Sequence, residues 1–443
     1  MLLENYSQFG FTEKVSGALR NILDYMEIRA SHSNEPFTES LLMGIGGGLG
    51  AEYATWAFKG IDPSRSRKSR LYLRFHHSKN YIKPKEESAL QKIVTRIGAS
   101  LTINETASEN KATEFLHESL QTGKPVITQL SVWHGIYSRK EVNQQYHQNP
   151  HFFPPLLYDE YVLFLPYYNL PYPWISSHLA IIYGIDQEAN QVILTDFSNK
   201  PHTISTEQLI RSRGIMKGWK NAAYTIDFPQ TKLNLLKAVK RGIHDCTESL
   251  LYQKSVVSGA HLRVEAWQAM AKNASDFKGK RGWITIFNEP SQLFDTLTRL
   301  HAQIAFHNSD GGALRSSFAD FLENASDILK NPALKEIAKQ FSEIGIMWDE
   351  LATAALPDYV PELRDTRLTA LKWHNLFKVQ GSSGKPQLEI IAKKIKSLRY
   401  QFCNDCPLTE NELLILFEDL GSRFLEIYKT EKQALHFLKK TLH

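Results

Sequence analysis

Cysteine is scarce in this chain, and long apolar runs are missing. Three cysteines occur in 443 residues, an odd number that does not make a disulfide framework and that agrees with a reducing compartment. No stretch approaches the roughly 18 uninterrupted apolar residues of a membrane span, so we expect no membrane partner. Residues 1–8 lack the basic start and the apolar core of a secretory signal. Together these absences predict a soluble protein of the cytoplasm.

A strong excess of one charge is also missing. The formal net charge is +5, and the one basic cluster, residues 65–74, is interrupted by serine and aliphatic residues. It lacks the interleaved aromatic side chains of a nucleic-acid groove. We therefore expect no nucleic-acid partner, and interpret the cluster as a solvated surface or as a contact for an anionic carrier protein.

Metal and nucleotide motifs are incomplete. Cys403 and Cys406 have metal-ligand spacing, but no second Cys or His pair follows at a matching distance. The histidines at positions 76, 77, 301 and 307 form no recognisable metal pattern. The glycine run at 44–50 lacks the Gly-Lys-Ser/Thr ending of a phosphate loop and follows no clear strand. We expect neither a metal nor a cofactor.

The length predicts two domains. A chain of 443 residues exceeds the roughly 250–300 residues at which one core stops growing. Strand and helix patterns alternate up to a proline near residue 229, and long amphipathic helical runs follow it. We predict a mixed domain at 1–229 and an all-α domain at 230–443.

In the first half, a helix is expected to start near residue 13, with Thr12 or Ser16 as its cap. Helical periodicity recurs at 89–98 and 112–121, and a β-branched run follows at 125–130. An aromatic, proline-rich loop is expected at 144–174. The strands 178–186 and 191–196 form an antiparallel hairpin joined by a short polar turn. The fold class predicted from these elements is α+β.

Three sequence segments of the first half resemble the opening of the butirosin biosynthesis protein H (BtrH) family. They are Ser-Gly-Ala-Leu-Arg-Asn-Ile-Leu from residue 16, Glu-Ser-Leu-Leu-Met-Gly-Ile-Gly-Gly-Gly-Leu-Gly from residue 39, and Gly-Lys-Pro-Val from residue 123. The helical half resembles the uncharacterised domain commonly fused behind that family, most visibly at 311–322. The resemblance implies a papain-like fold with an antiparallel sheet. It also implies transfer of an acyl group from a carrier-protein thioester to an amine.

The resemblance implies catalytic roles for His178 on its strand and for Asp196 one strand later. The family places its nucleophile just before the first helix, usually in a His-Cys pair, but this chain has Glu13 and Lys14 there. No cysteine precedes Cys246. Acylated Lys14 would be a stable amide, so turnover through it is implausible.

Two routes without cysteine stay open. Ser16 offers a hydroxyl nucleophile, although the helix turns it about 200° away from position 14; otherwise it is a cap or first-turn residue. His178 could act as general base for direct attack of an amine on a bound thioester, with Asp196 orienting it. The alternative is that His178 and Asp196 are inherited structure.

Five residues are candidates for substrate binding: Gly46, Gly47, Gly48, Tyr168 and Trp174. Glycines allow close approach of a ligand or of another backbone, and the two aromatic residues precede His178 in the chain, so they could line a pocket. A structural loop and core packing are the alternative explanations.

The resulting hypothesis is an acyltransferase-like enzyme of bacterial specialised metabolism that forms an amide without a cysteine nucleophile. Its donor would be an acyl carrier protein or acyl-coenzyme A, and its acceptor a small amine. The alternative is a catalytically silent family member that binds an acyl intermediate or scaffolds an active partner. A hydrolase follows from fold analogy alone. Homo- or hetero-oligomers stay open.

Overall fold

The computed structural model describes residues 1–56, 70–77, 88–131, 177–214, 220–229, 233, 235–252, 260–306 and 310–442. Nine strands are present in these ranges: β1 Leu49–Trp56, β2 Arg70–His77, β3 Ser100–Asn104, β4 Val126–Ser131, β5 Ser177–Asp186, β6 Gln191–Thr195, β7 His202–Ser205, β8 Ala223–Asp227 and β9 Ala260–Leu262. The helices in the described ranges of the first half are α1 Lys14–Tyr25, α2 Glu39–Ile45, α3 Ala89–Arg96, α4 Glu109–Gln121 and α5 Thr206–Gly214.

The second half is helical apart from β9. Its described helices are α6 Leu235–Tyr252, α7 Glu265–Ala274, α8 Trp283–Ile286, α9 Pro290–Ala305, α10 Arg315–Leu329, α11 Ala333–Ala355, α12 Pro361–Gln380, α13 Lys385–Asn404 and α14 Glu410–Thr441. Short 3-10 turns lie at Gly312–Leu314 and Gly381–Gly384. The predicted amphipathic runs are thus confirmed, and so is the α+β class.

The described strands form one sheet of six and one of three. The larger sheet has the order β3-β8-β4-β5-β6-β7, and every neighbouring pair is antiparallel. The predicted hairpin is its β5–β6 pair, in which Ile181 lies opposite Thr195. The smaller sheet has the order β2-β1-β9. The sequence pattern did not predict these three strands.

Helix α1 packs against β5 of the large sheet. Its buried face carries Val15, Leu19, Ile22 and Leu23 at helical spacing, the apolar stripe of a helix packed on a sheet. The chain before α1 also joins the sheet, because Leu2 forms an isolated bridge with Gly184. A Cβ at Gly184 would lie 2.7 Å from Leu2 Cδ1, so a larger residue there would displace the end of the Leu2 side chain.

The chain divides into two compact units that are discontinuous in sequence. Unit 1 comprises 1–39, 94–234 and 372–392, and unit 2 comprises 40–93, 235–371 and 393–443. Unit 1 contains the six-stranded sheet, and unit 2 the three-stranded sheet and most helices. The passage from Asn234 to Leu235 lies close to the predicted boundary, although each unit also takes segments from the other side of it. The domain division 1–229 and 230–443 stays a prediction.

The core of unit 2 holds a fully buried ion pair. Arg315 Nη2 lies 2.6 Å from Glu431 Oε1, and both side chains are inaccessible. The guanidinium lies over the rings of Phe75, Trp267 and Trp348 at 5.1–5.5 Å. The aromatic faces and the carboxylate therefore compensate the buried cation.

None of the helices in the described ranges combines the length and the apolar character that crossing a bilayer requires.

Candidate active site

The start of α1 is capped by a glutamate. Glu13 is buried and has an extended backbone, and its Oε2 accepts hydrogen bonds from the backbone N–H groups of Val15 at 2.8 Å and Ser16 at 3.0 Å. The helix therefore begins where the sequence predicted. However, the predicted caps, Thr12 and Ser16, were wrong, because the carboxylate of Glu13 performs this role.

Ser16 and Lys14 have different surroundings at this helix start. The Ser16 side chain is fully buried, and its Oγ lies 3.2 Å from Glu13 Oε2 and 3.5 Å from the Glu13 carbonyl oxygen. Its hydroxyl is therefore already hydrogen-bonded within its own helix turn. Lys14 is the first helical residue and is half-buried.

A second carboxylate holds the residues just before the helix. Glu39 Oε2 accepts the backbone N–H groups of Thr12 at 3.0 Å and of Glu13 at 2.9 Å. Burial raises the pKa of Glu39 to about 7, against the lowering effect of those hydrogen bonds. The nearby charge of Glu13 raises this pKa further, and Arg20, 4.0 Å away, lowers it. The carboxylates of Glu13 and Glu39, the first buried and the second partly exposed, thus both lie at the start of α1.

The segment after β6 is hydrogen-bonded to the chain that leads into α1. Phe11 N donates to the Asp196 carbonyl oxygen at 3.0 Å, and Gly10 N donates to Asn199 Oδ1 at 3.0 Å. Gln8 Nε2 donates to the Ser198 carbonyl oxygen at 2.8 Å. These three bonds bring the start of α1 and Asp196 together within unit 1.

Asp196 lies beside a histidine that the sequence analysis did not single out. Its Oδ1 accepts the Ser198 N–H at 3.1 Å and lies 2.8 Å from His202 Nε2, and both the acid and the imidazole are buried. Phe377 stacks on the His202 ring with a centroid distance of 6.3 Å. No sequence motif includes His202. Only its place at the start of the short strand β7 could have indicated this pair. Asp196, directly after β6, therefore contacts a buried imidazole.

His178 lies on β5, where its backbone pairs with Leu130. Three residues further along β5, Ile181 pairs with Thr195 of β6. Asp196 directly follows Thr195. The strand positions predicted for the histidine and the acid are thus neighbouring. The side chain of His178 lies outside the described part of the structure, as do Tyr168 and Trp174 entirely.

The glycine run lies in unit 2 and is buried by the chain itself. Gly47 and Gly48 have positive φ values of 115° and 64°. A Cβ at Gly48 would lie 2.6 Å from the Phe318 ring and 3.0 Å from Cys246 Sγ. The close approach that the glycines permit is therefore made by side chains of this protein, and Gly46, Gly47 and Gly48 belong to a different compact unit from Asp196 and Ser16.

Metal ligation finds no support in the described ranges, where no group of three or more His, Cys, Asp or Glu residues is placed to hold an ion. Cys403 and Cys406 take part in no disulfide among the described residues. His301 is a core residue whose Nδ1 lies 2.9 Å from the Ala352 carbonyl oxygen, and burial lowers its pKa to about 4.

The fold and the site define an α+β protein whose first helix begins beside an antiparallel sheet and a buried acid and imidazole pair. Residues 14–153 match the family described as butirosin biosynthesis protein H, N-terminal. Residues 209–374 match a domain of unknown function, DUF4872. These two matches, in this order, agree with the BtrH-type arrangement that the sequence motifs indicated. No curated protein matches it.

Proposed function

We propose that this chain is an acyltransferase-like family member that forms no covalent acyl-enzyme, and that it acts as a catalytically silent protein in specialised metabolism. It would bind an acyl thioester intermediate or scaffold an active partner. The observation that carries this proposal is the carboxylate of Glu13 on the N–H groups of Val15 and Ser16. The match of residues 14–153 to the BtrH-type family supports the acyl-group chemistry.

The start of α1 is electrostatically unfavourable for an oxyanion. In a cysteine acyltransferase, the start of the nucleophile's helix lowers the thiol pKa and stabilises the oxyanion, because its free N–H groups and its dipole favour negative charge. Here a buried negative side chain already accepts two of those N–H groups. A tetrahedral oxyanion at this position would lose these donors and would be repelled by Glu13.

Neither remaining side chain restores covalent catalysis. Transfer to Lys14 would form an amide, which is more stable than the thioester and would not turn over. The Ser16 hydroxyl is fully buried against Glu13, whereas a serine nucleophile needs access to the substrate. We therefore propose donor binding without acyl transfer to this chain.

The ligands proposed are an acyl group carried by an acyl carrier protein or by coenzyme A, and a small amine. A papain-like fold is part of the proposal. It is supported by the helix start packed on an antiparallel sheet, and by the strand order that puts the His178 position next to Asp196.

A second candidate is direct amide formation, and the buried carboxylate of Asp196 close to the start of α1 favours it. In this reaction the amine nitrogen bonds to the thioester carbonyl carbon while His178 accepts the amine proton. The carbon–sulfur bond then breaks, and the thiolate leaves and takes up that proton. No bond to the protein forms.

Product analysis separates the two candidates. Wild type and His178→Ala are incubated with a panel of short acyl thioesters and amines, and products are measured by mass spectrometry. Binding of the acyl-coenzyme A members is measured in parallel by calorimetry. Donor binding without amide product supports the silent protein. Amide that disappears in His178→Ala supports the second candidate, and absence of both binding and product contradicts donor binding and amide formation alike.

A further inference from the structure

The exposed face of α6 carries a row of cations. Lys237, Lys240, Arg241 and His244 are all exposed on this helix, and their spacing of three or four residues places them on one side of it. The row extends over about 10 Å at 1.5 Å per residue. The opposite face, including Val239, Ile243 and Cys246, is buried in unit 2.

The row has no ion-pair partner among the described residues, unlike several other surface cations of the chain. Several of those are paired: Lys124 with Asp227, Lys335 with Asp327, and Lys439 with Glu248. No described carboxylate therefore forms an ion pair with the row, although Asp245 and Glu248 follow it on the same helix.

The position of the row within the helix is unfavourable for stability. Lys237, Lys240 and Arg241 lie in the first two turns, and no acidic residue is present in the first turn. Cations in the first turn of a helix, such as Lys237, oppose the helix dipole and destabilise the helix. The dipole also adds to the positive potential of the row. Helix stability thus gives no reason for the arrangement.

We propose that this face of α6 is a docking surface for an acidic protein helix. Carboxylates on such a helix at spacings of three, four and seven residues match the spacing of the cations, and Leu236, which is 49% exposed beside them, provides an apolar contact. A membrane is disfavoured because the apolar face of α6 is already buried in the protein. This inference goes beyond the proposed function, since α6 contains none of the candidate active-site residues.

The test uses the full-length chain and a labelled synthetic helical peptide with glutamates at that spacing. Fluorescence anisotropy is recorded at low salt and at about 150 mM salt. The variants are K237E/K240E/R241E and a matched control, K393E/K394E/K396E, whose exposed lysines lie on α13. Both change the net charge equally, and circular dichroism checks that both are folded.

We expect the α6 variant to bind the acidic peptide at least about tenfold more weakly than wild type, and the α13 variant to stay within about threefold. Equal losses in both variants would mean a bulk charge effect and would overturn the proposal, as would absence of peptide binding by wild type. Wild type that binds duplex DNA or phosphatidylglycerol vesicles more tightly than the peptide would also overturn the proposal in favour of that ligand, if this binding is lost in the α6 variant. The active-site variant K14C should bind the peptide like wild type, whatever its acyl chemistry.

Discussion

The raised pKa of Glu39 makes the stability of the folded chain depend on pH. The carboxylate of Glu39 is largely buried beside Glu13, and its pKa rises from 4.5 to about 7 in the folded chain. A rise of this size corresponds to about 3 kcal/mol of unfolding free energy. Between these two pH values the folded state holds more protons than the unfolded state. The contribution is therefore fully present below pH 4.5 and is lost as the pH rises through 7.

Glu39→Gln removes this titration while keeping the shape of the side chain. The free energy of unfolding of wild type and variant is measured by urea denaturation between about pH 5 and pH 8. We expect the variant to gain about 2–3 kcal/mol relative to wild type over this range. Glu35→Gln, at an exposed carboxylate, is the matched control. A wild-type–variant difference that stays constant across the range would refute the reasoning.

Three further predictions concern buried contacts. Glu431→Gln should lower stability by about 3–5 kcal/mol because Arg315 loses its counter-charge, whereas the double change Glu431→Leu with Arg315→Met should be near neutral, as measured by denaturant unfolding. Gly381→Ala should destabilise by about 1–3 kcal/mol in the same assay, because its φ is 54° and the new Cβ would lie 2.4 Å from Ser198 Oγ. Glu13→Ala should lower the melting temperature through loss of about 1 kcal/mol of capping. Wild-type stability in any of these single variants would contradict the corresponding contact.

The local elements could be predicted from the sequence because their signals are local. The β5–β6 hairpin has strand patterns on both sides of a short polar turn, and α1 has its apolar stripe at helical spacing. The cap of α1 was missed because glutamate is not a preferred N-cap residue. In the fold its backbone N–H is held by Glu39, which lies 26 residues further along the chain.

The site was only partly predictable because its contacts join distant or unremarkable positions. Asp196 was singled out, yet its neighbour His202 is indicated by no motif. The glycine run correctly indicated close approach, but a sequence cannot tell a ligand from the protein's own Phe318 and Cys246. The ion pair of Arg315 and Glu431 spans 116 residues, a separation at which periodicity carries no information.

The central claim is that the start of α1 is closed to covalent acyl chemistry by Glu13 and lacks a nucleophile. Intact-protein mass spectrometry after incubation with an acyl-coenzyme A donor tests it most directly, on wild type, on E13H/K14C and on the control K111C, whose cysteine would lie at an exposed position of α4. We expect an added acyl mass on E13H/K14C alone. An acyl adduct on wild-type Ser16 or Lys14 would contradict it.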